Sequence, residues 1–239
     1  MSSTGLRFNI AYGSWELIWS HVHRVLVVNL GVAAANLPLL VALQLSHTPW
    51  RHPVVFVPLL LALPGPSIAA AFGYLAAAGT DGGAPVRLYV QEYRRLYGRA
   101  LRASAPFLLA TVAAVTDVVA LRTSGWGTAV VQMAAVVAVL AASSWVVALA
   151  LVAADASRAG LRGLLLAPYA VVRHGWLAVM NLVVAAATLL LVNQAPLLGL
   201  TVLPGCALFV LWRNCGHMTA FERAGTDSFG ETDIHAITR

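Results

Sequence analysis

The sequence predicts an all-α integral membrane bundle of about six transmembrane helices, and three observations carry that prediction. Hydrophobic residues make up 60% of the 239 positions and charged residues 10%, against roughly 45–50% and 25% in soluble domains. The apolar residues fall in long uninterrupted runs and not in amphipathic stripes. The fifteen cationic residues, all Arg, gather at the ends of those runs. Too little charge is present to cover a water-facing surface. The length suits one compact bundle and leaves no room for a second, soluble domain.

A hydrocarbon core about 30 Å thick takes roughly 20 helical residues. The first run that meets this length is Val25 to Leu45, approached through Trp15, Trp19, His21 and His23. The second, Val54 to Ala78, is interrupted by Pro64-Gly65-Pro66. The third is Ala103 to Leu121, the fourth Thr128 to Ala154 and the fifth Trp176 to Asn193. The sixth, Leu197 to Trp212, is short and contains Pro204-Gly205. Proline removes a backbone donor, so kinks are expected in the second helix at Pro64 and in the sixth at Pro204. None of the runs alternates with period two, which excludes a membrane barrel. Residues 1–220 therefore read as a single transmembrane domain, followed by a polar, acidic C-terminal tail over 221–239 that is expected to be mobile. Residues 1–20 carry no apolar h-region or cleavage site, so the first membrane helix is expected to direct its own insertion.

Arginine placement sets the orientation. With the N-terminus, the second and fourth connections and the C-terminus on one side, thirteen arginines share that side and two, Arg51 and Arg122, lie opposite. The positive-inside rule makes the arginine-rich side cytoplasmic, with both termini inside. The absence of Lys and the abundance of Ala and Val point to a high-GC bacterium, hence to a bacterial cytoplasmic membrane. A formal charge of +6 could attract nucleic acid. Here, however, the charges sit where lipid headgroups lie, and no nucleic-acid partner is expected.

The two longer cytoplasmic connections have helical character. Between Val86 and Leu101, the residues Val86, Tyr89, Tyr93, Leu96, Tyr97 and Ala100 recur at helical spacing, with Arg87, Arg94, Arg95 and Arg102 around much of the rest. That pattern describes an amphipathic helix lying in the interface, its rings at headgroup level. Tyr89, Tyr93, Arg94, Arg95, Tyr97 and Arg99 could instead dock a partner. Asp155 to His174 repeats the theme more weakly. A faint internal echo pairs Asn29-Leu30-Gly31 with Asn181-Leu182-Val183, each followed one helix later by Leu-Pro-Gly, at Leu63 and Leu203. This would be a parallel repeat of the kind found in transporters, or chance similarity in Ala- and Val-rich sequence.

Ionisable groups in hydrocarbon are costly, about 2.5–3.5 kcal/mol on insertion scales. Asp117 is the one acid within an expected span. It either pairs with Arg122 near the interface or, if it faces the interior, forms a proton or cation site. Asn29, Asn36 and Asn181 are further candidates for a polar pathway, although interhelical hydrogen bonds are the usual role of such amides. Ala69, Ala70, Ala71, Gly73, Ala141, Ala142 and Ser143 should permit close helix approach. No metal site is expected, because His21 and His23 fall on different helix faces, and Cys206, Cys215 and His217 lack ligand spacing. No catalytic constellation or phosphate loop is present, and no cofactor is implied.

The pattern resembles the YesL-like family of small bacterial membrane proteins. The residues that carry the resemblance are Trp15-Glu16-Leu17-Ile18-Trp19, Asn29, and Pro64-Gly65-Pro66-Ser67 followed by Ala69 and Ala70. Tyr93-x-x-x-Tyr97 with Arg99-Ala100-Leu101-Arg102 completes the set. The likeness spans most of residues 10–220, and the chain departs from it in having no Lys and little Phe. The resemblance implies a non-enzymatic accessory or regulatory subunit linked to carbohydrate ABC import, with importer permease subunits or a second copy as partner. The alternatives are a small-solute transporter, for which the broken helices speak, and more distantly a lipid-acting intramembrane enzyme. Ala153-Ala154-Asp155, Gly160 and Pro168 distantly resemble an ABC permease loop, but the spacing is too short and the glutamate is missing.

Overall fold

The computed structural model describes residues 19, 22–45, 53–77, 84–123, 127–154, 161–194 and 203–219. The expected tail 221–239, Trp15, His21 and most of the connections lie outside the described residues. Within them every element is helical, and no strand occurs. In chain order these are α1 (Val22–Ala35), α2 (Leu37–Leu45), α3 (Pro53–Ala62), α4 (Pro64–Ala77) and α5 (Pro85–Thr123). They are followed by α6 (Thr128–Ala154), α7 (Leu161–Arg173), α8 (Gly175–Gln194) and α9 (203–219).

Three helical spans are long and apolar enough to cross a membrane: Val54–Ala77, Pro85–Arg122 and Thr128–Ala154. Counting α1 with α2, and α7 with α8, as broken spans raises the number to five. Large apolar side chains cover the outside, Leu30, Met133, Leu189 and Leu190 among them. Only 17% of the most apolar window of α5 is buried inside the protein. In water so large an apolar surface would aggregate; in lipid it is the ordinary exterior. The hydroxyls of Thr111, Thr116 and Thr188 donate to the carbonyls four residues back at 2.7–2.8 Å, so each is satisfied by its own helix.

The fourth apolar run and α6 share the same bounds, Thr128–Ala154. Elsewhere the structure redraws the expected boundaries. The first run is not one straight helix, because α1 and α2 meet at Asn36 with a 57° bend. Pro38 is the cause: its ring displaces the carbonyl of Ala34 and it has no N–H to donate there. The second run is one candidate span, Val54–Ala77, within which Leu63 separates α3 from α4 and Pro64 opens α4. Pro204 lies in the first described turn of α9. Helix α9 also runs on past Trp212 to residue 219.

The largest correction concerns the connection before the third run. The expected interfacial helix and the third span form the single helix α5, 39 residues long, or about 58 Å at the α-helical rise. Its first half packs against α4, and the C-terminal half of α6 completes this core. The stripe Tyr89, Glu92, Leu96, Ala100 and Ala103 is buried, at helical spacing, against the small-residue face Ala69, Ala70, Ala71 and Gly73 of α4. The segment is therefore a core helix and not a membrane-lying linker. Beyond it, only Leu108 and Ala114 of residues 105–122 are buried, and residues 128–140 of α6 have no buried position. Helix α7 packs on α6 before the chain turns through 99° at His174 into α8.

Candidate functional site

The break at Pro64 organises a buried polar seam. Pro64 and Pro66 donate no N–H, so the local backbone is held from the side. Ser67 Oγ donates to Pro64 O at 2.9 Å and accepts from Asn36 Nδ2 at 2.8 Å. The same amide donates to Val32 O at 2.8 Å across the bend of the first run. Tyr89 of α5 donates its hydroxyl to Ser67 O at 3.2 Å, and its ring meets Tyr74 edge-on with centroids 6.4 Å apart. That ring also lies over Gly31, where an added Cβ would stand 2.5 Å from a ring carbon. Asn36 thus joins the first helix pair to α4, and Tyr89 joins α4 to α5.

Two atoms of this seam are buried without a hydrogen-bond partner among the described residues: Asn36 Oδ1 and Ser104 Oγ. Ser104 faces Gly65 so closely that a Cβ there would collide with the hydroxyl. An unmet buried polar atom costs about 1–3 kcal/mol, and both lie beside the proline break.

Asn29 and Asn181 are both buried, and both hold α9. Asn29 Oδ1 accepts the backbone N–H of Gly205. Asn181 Oδ1 accepts from Asn214 Nδ2 at 2.8 Å, and its own amide donates to Cys215 Sγ at 3.7 Å. The interhelical role expected of such amides is what the contacts describe. The internal echo gives the two Leu-Pro-Gly segments a shared part, since Gly65 and Gly205 are both sites of close helix approach. The two asparagines differ in partners, however, and do not line a common cavity among the described residues.

Asp117 is exposed on the C-terminal half of α5, further along the helix than the packed stripe, and does not face the bundle interior as a cation site there would require. Asp117→Asn is expected to leave the thermal midpoint of the detergent-solubilised protein unchanged. A clear shift in that midpoint would restore a structural role for the carboxylate.

Sequence reasoning missed Glu92. It occupies the buried stripe of α5, with Oε2 accepting from Arg95 Nη2 at 2.7 Å and Nε at 3.1 Å. Gly73 lies close opposite: a Cβ there would stand 2.7 Å from that oxygen, so the carboxylate would have to move aside. The available signal was phase, because Glu92 falls three residues after Tyr89 and four before Leu96. The docking residues separate accordingly. Tyr89 is core, Tyr93 and Tyr97 are half-buried with their rings 5.6 Å apart, and Arg95 is engaged with Glu92. Arg87, Arg94, Arg99 and Arg102 project outward from the remaining circumference.

Among the described residues no group of three His, Cys, Asp or Glu could hold a metal ion. Cys206 is an exposed and Cys215 a buried free thiol. The chain matches no family model, no curated protein and no solved structure.

Proposed function

We propose that this chain is a non-enzymatic accessory subunit of the bacterial cytoplasmic membrane, multi-pass with both termini inside. In this reading the outward arginines of α5 dock a partner. The observation that supports it is the division of α5 into two faces. Tyr89, Glu92, Leu96 and Ala100 anchor it in the bundle, while Arg87 and Arg94 point directly away from that stripe. A helix held so firmly presents its guanidinium groups at low entropic cost to carboxylates or phosphates. The YesL-like resemblance supplies the class of partner, a carbohydrate ABC importer. The orientation draws support from the C-terminal ends of α4, α6 and α9, which line one common cleft. The arginine count assigns those ends to one side.

The test is affinity capture from the native host in mild detergent, with Arg94→Glu/Arg99→Glu as the comparison. An importer permease and its ATPase are expected with the native chain, and at least a tenfold loss with the variant. Recovery of a partnerless native chain would sink the accessory reading.

A second reading, a small-solute carrier, is favoured by the unmet Asn36 Oδ1 and Ser104 Oγ beside the proline break. Solute flux into vesicles holding the chain alone, abolished by Ser104→Ala, would decide for it.

A further inference from the structure

The C-terminal ends of α4, α6 and α9 enclose a cleft of about 480 Å³, lined by Phe72, Ala150, Trp212, Arg213, Gly216 and His217 among others. None of the residues of the polar seam beside Pro64 lines it. Its volume falls within the usual range for small-ligand sites, about 300–1,000 Å³. We propose that this cleft binds the phosphodiester headgroup of one anionic phospholipid, with the glycerol and upper acyl chain against Phe72, Ala150 and Trp212.

Charge and shape carry the choice of occupant. Arg213 and His217 stand four residues apart on α9, hence on one face, and both line the cleft. No acid is among its described lining residues. A guanidinium with a neighbouring imidazole matches phosphate oxygens geometrically. Helix C-termini oppose them, each carrying roughly half a negative charge within its last turn. These ends repel any second negative charge, which suits a singly charged phosphodiester better than a doubly charged monoester or a polyanion. The mostly apolar wall selects an amphiphile over a free phosphate. Trp212 beside Arg213 is the aromatic–cation pairing typical of headgroup level.

A plainer role for Arg213 and His217 is to offset the dipole of α9. The two roles separate at Gly216. A Cβ there meets nothing within 4 Å, so a leucine can start into the cleft from Gly216 with both charges kept, and its unfolding midpoint checks that the fold is intact.

Delipidated protein in detergent is titrated with phosphatidylglycerol, phosphatidylcholine or glycerophosphoglycerol, the same headgroup without acyl chains, and read by native mass spectrometry. One phosphatidylglycerol per chain is expected, at least tenfold tighter than phosphatidylcholine. Arg213→Gln and Gly216→Leu should each weaken it about tenfold. Arg122→Gln, at the far end of α5, should change nothing. Unchanged binding in Gly216→Leu would leave only the dipole role and overturn the proposal. Equal affinity for glycerophosphoglycerol would overturn it differently, by making the occupant a soluble phosphate ester.

Discussion

Gly205→Ala is expected to destabilise the protein by about 2–4 kcal/mol, while the same exchange at Gly98 stabilises it by up to about 1 kcal/mol. The Cβ added at Gly205 would stand 2.7 Å from Val25 O and 2.9 Å from Asn29 Oδ1. The first of these is backbone and cannot rotate away, so α9 must shift off α1. With that shift the backbone N–H at 205 loses its hydrogen bond to Asn29 Oδ1. At Gly98 nothing lies within 4 Å of the new methyl, and only the better helix propensity of alanine is felt. Thermal unfolding in detergent, followed by circular dichroism, reads both changes. Equal and favourable shifts at the two sites would mean that α1 and α9 are not in contact.

Leu96→Ala is expected to cost about 2–5 kcal/mol, the range for a fully buried leucine. Leu96 is completely buried between α4 and α5, close to Gly73 and Glu92. Leu109→Ala, on the exposed half of the same helix, removes only contacts with lipid and should change the midpoint little. The comparison separates two pictures of residues 85–102. A helix lying on the membrane surface would lose membrane affinity but little bundle stability when Leu96 is truncated. A core helix loses stability outright.

Element type and the bounds of α6 were legible because Thr128–Ala154 is uniformly apolar and bounded by Gly127 and Asp155, so composition alone decides it. Helix α5 was not, and Glu92 shows why. The arginines of 87–102 lower the average hydropathy of the segment, yet burial is set by the phase of Tyr89, Glu92, Leu96 and Ala100, not by the average. A carboxylate on that stripe reads as solvent-facing unless its partner is known, and Arg95, one turn on, is that partner. The boundary between α3 and α4 was visible because glycine and two prolines are adjacent. The bend at Asn36 was equally available in Pro38, but a lone proline among leucines is easily taken as tolerated. The bonding role of Asn29 and Asn181 followed from residue type. Their partners did not, because pairing across 176 positions depends on the packing of whole helices.

That long pairing orders events during synthesis. The N–H that Asn29 accepts belongs to Gly205, so α1 is seated by α9, which is made long after it. At about 5–20 residues per second, α1 waits roughly ten to forty seconds for this contact. Meanwhile α4, α5 and α6, neighbours in sequence, can assemble as they emerge. A nascent chain arrested before residue 205 would carry a formed centre, with α1 joined to α4 and α5 through Asn36 and Gly31 but lacking its seat on α9.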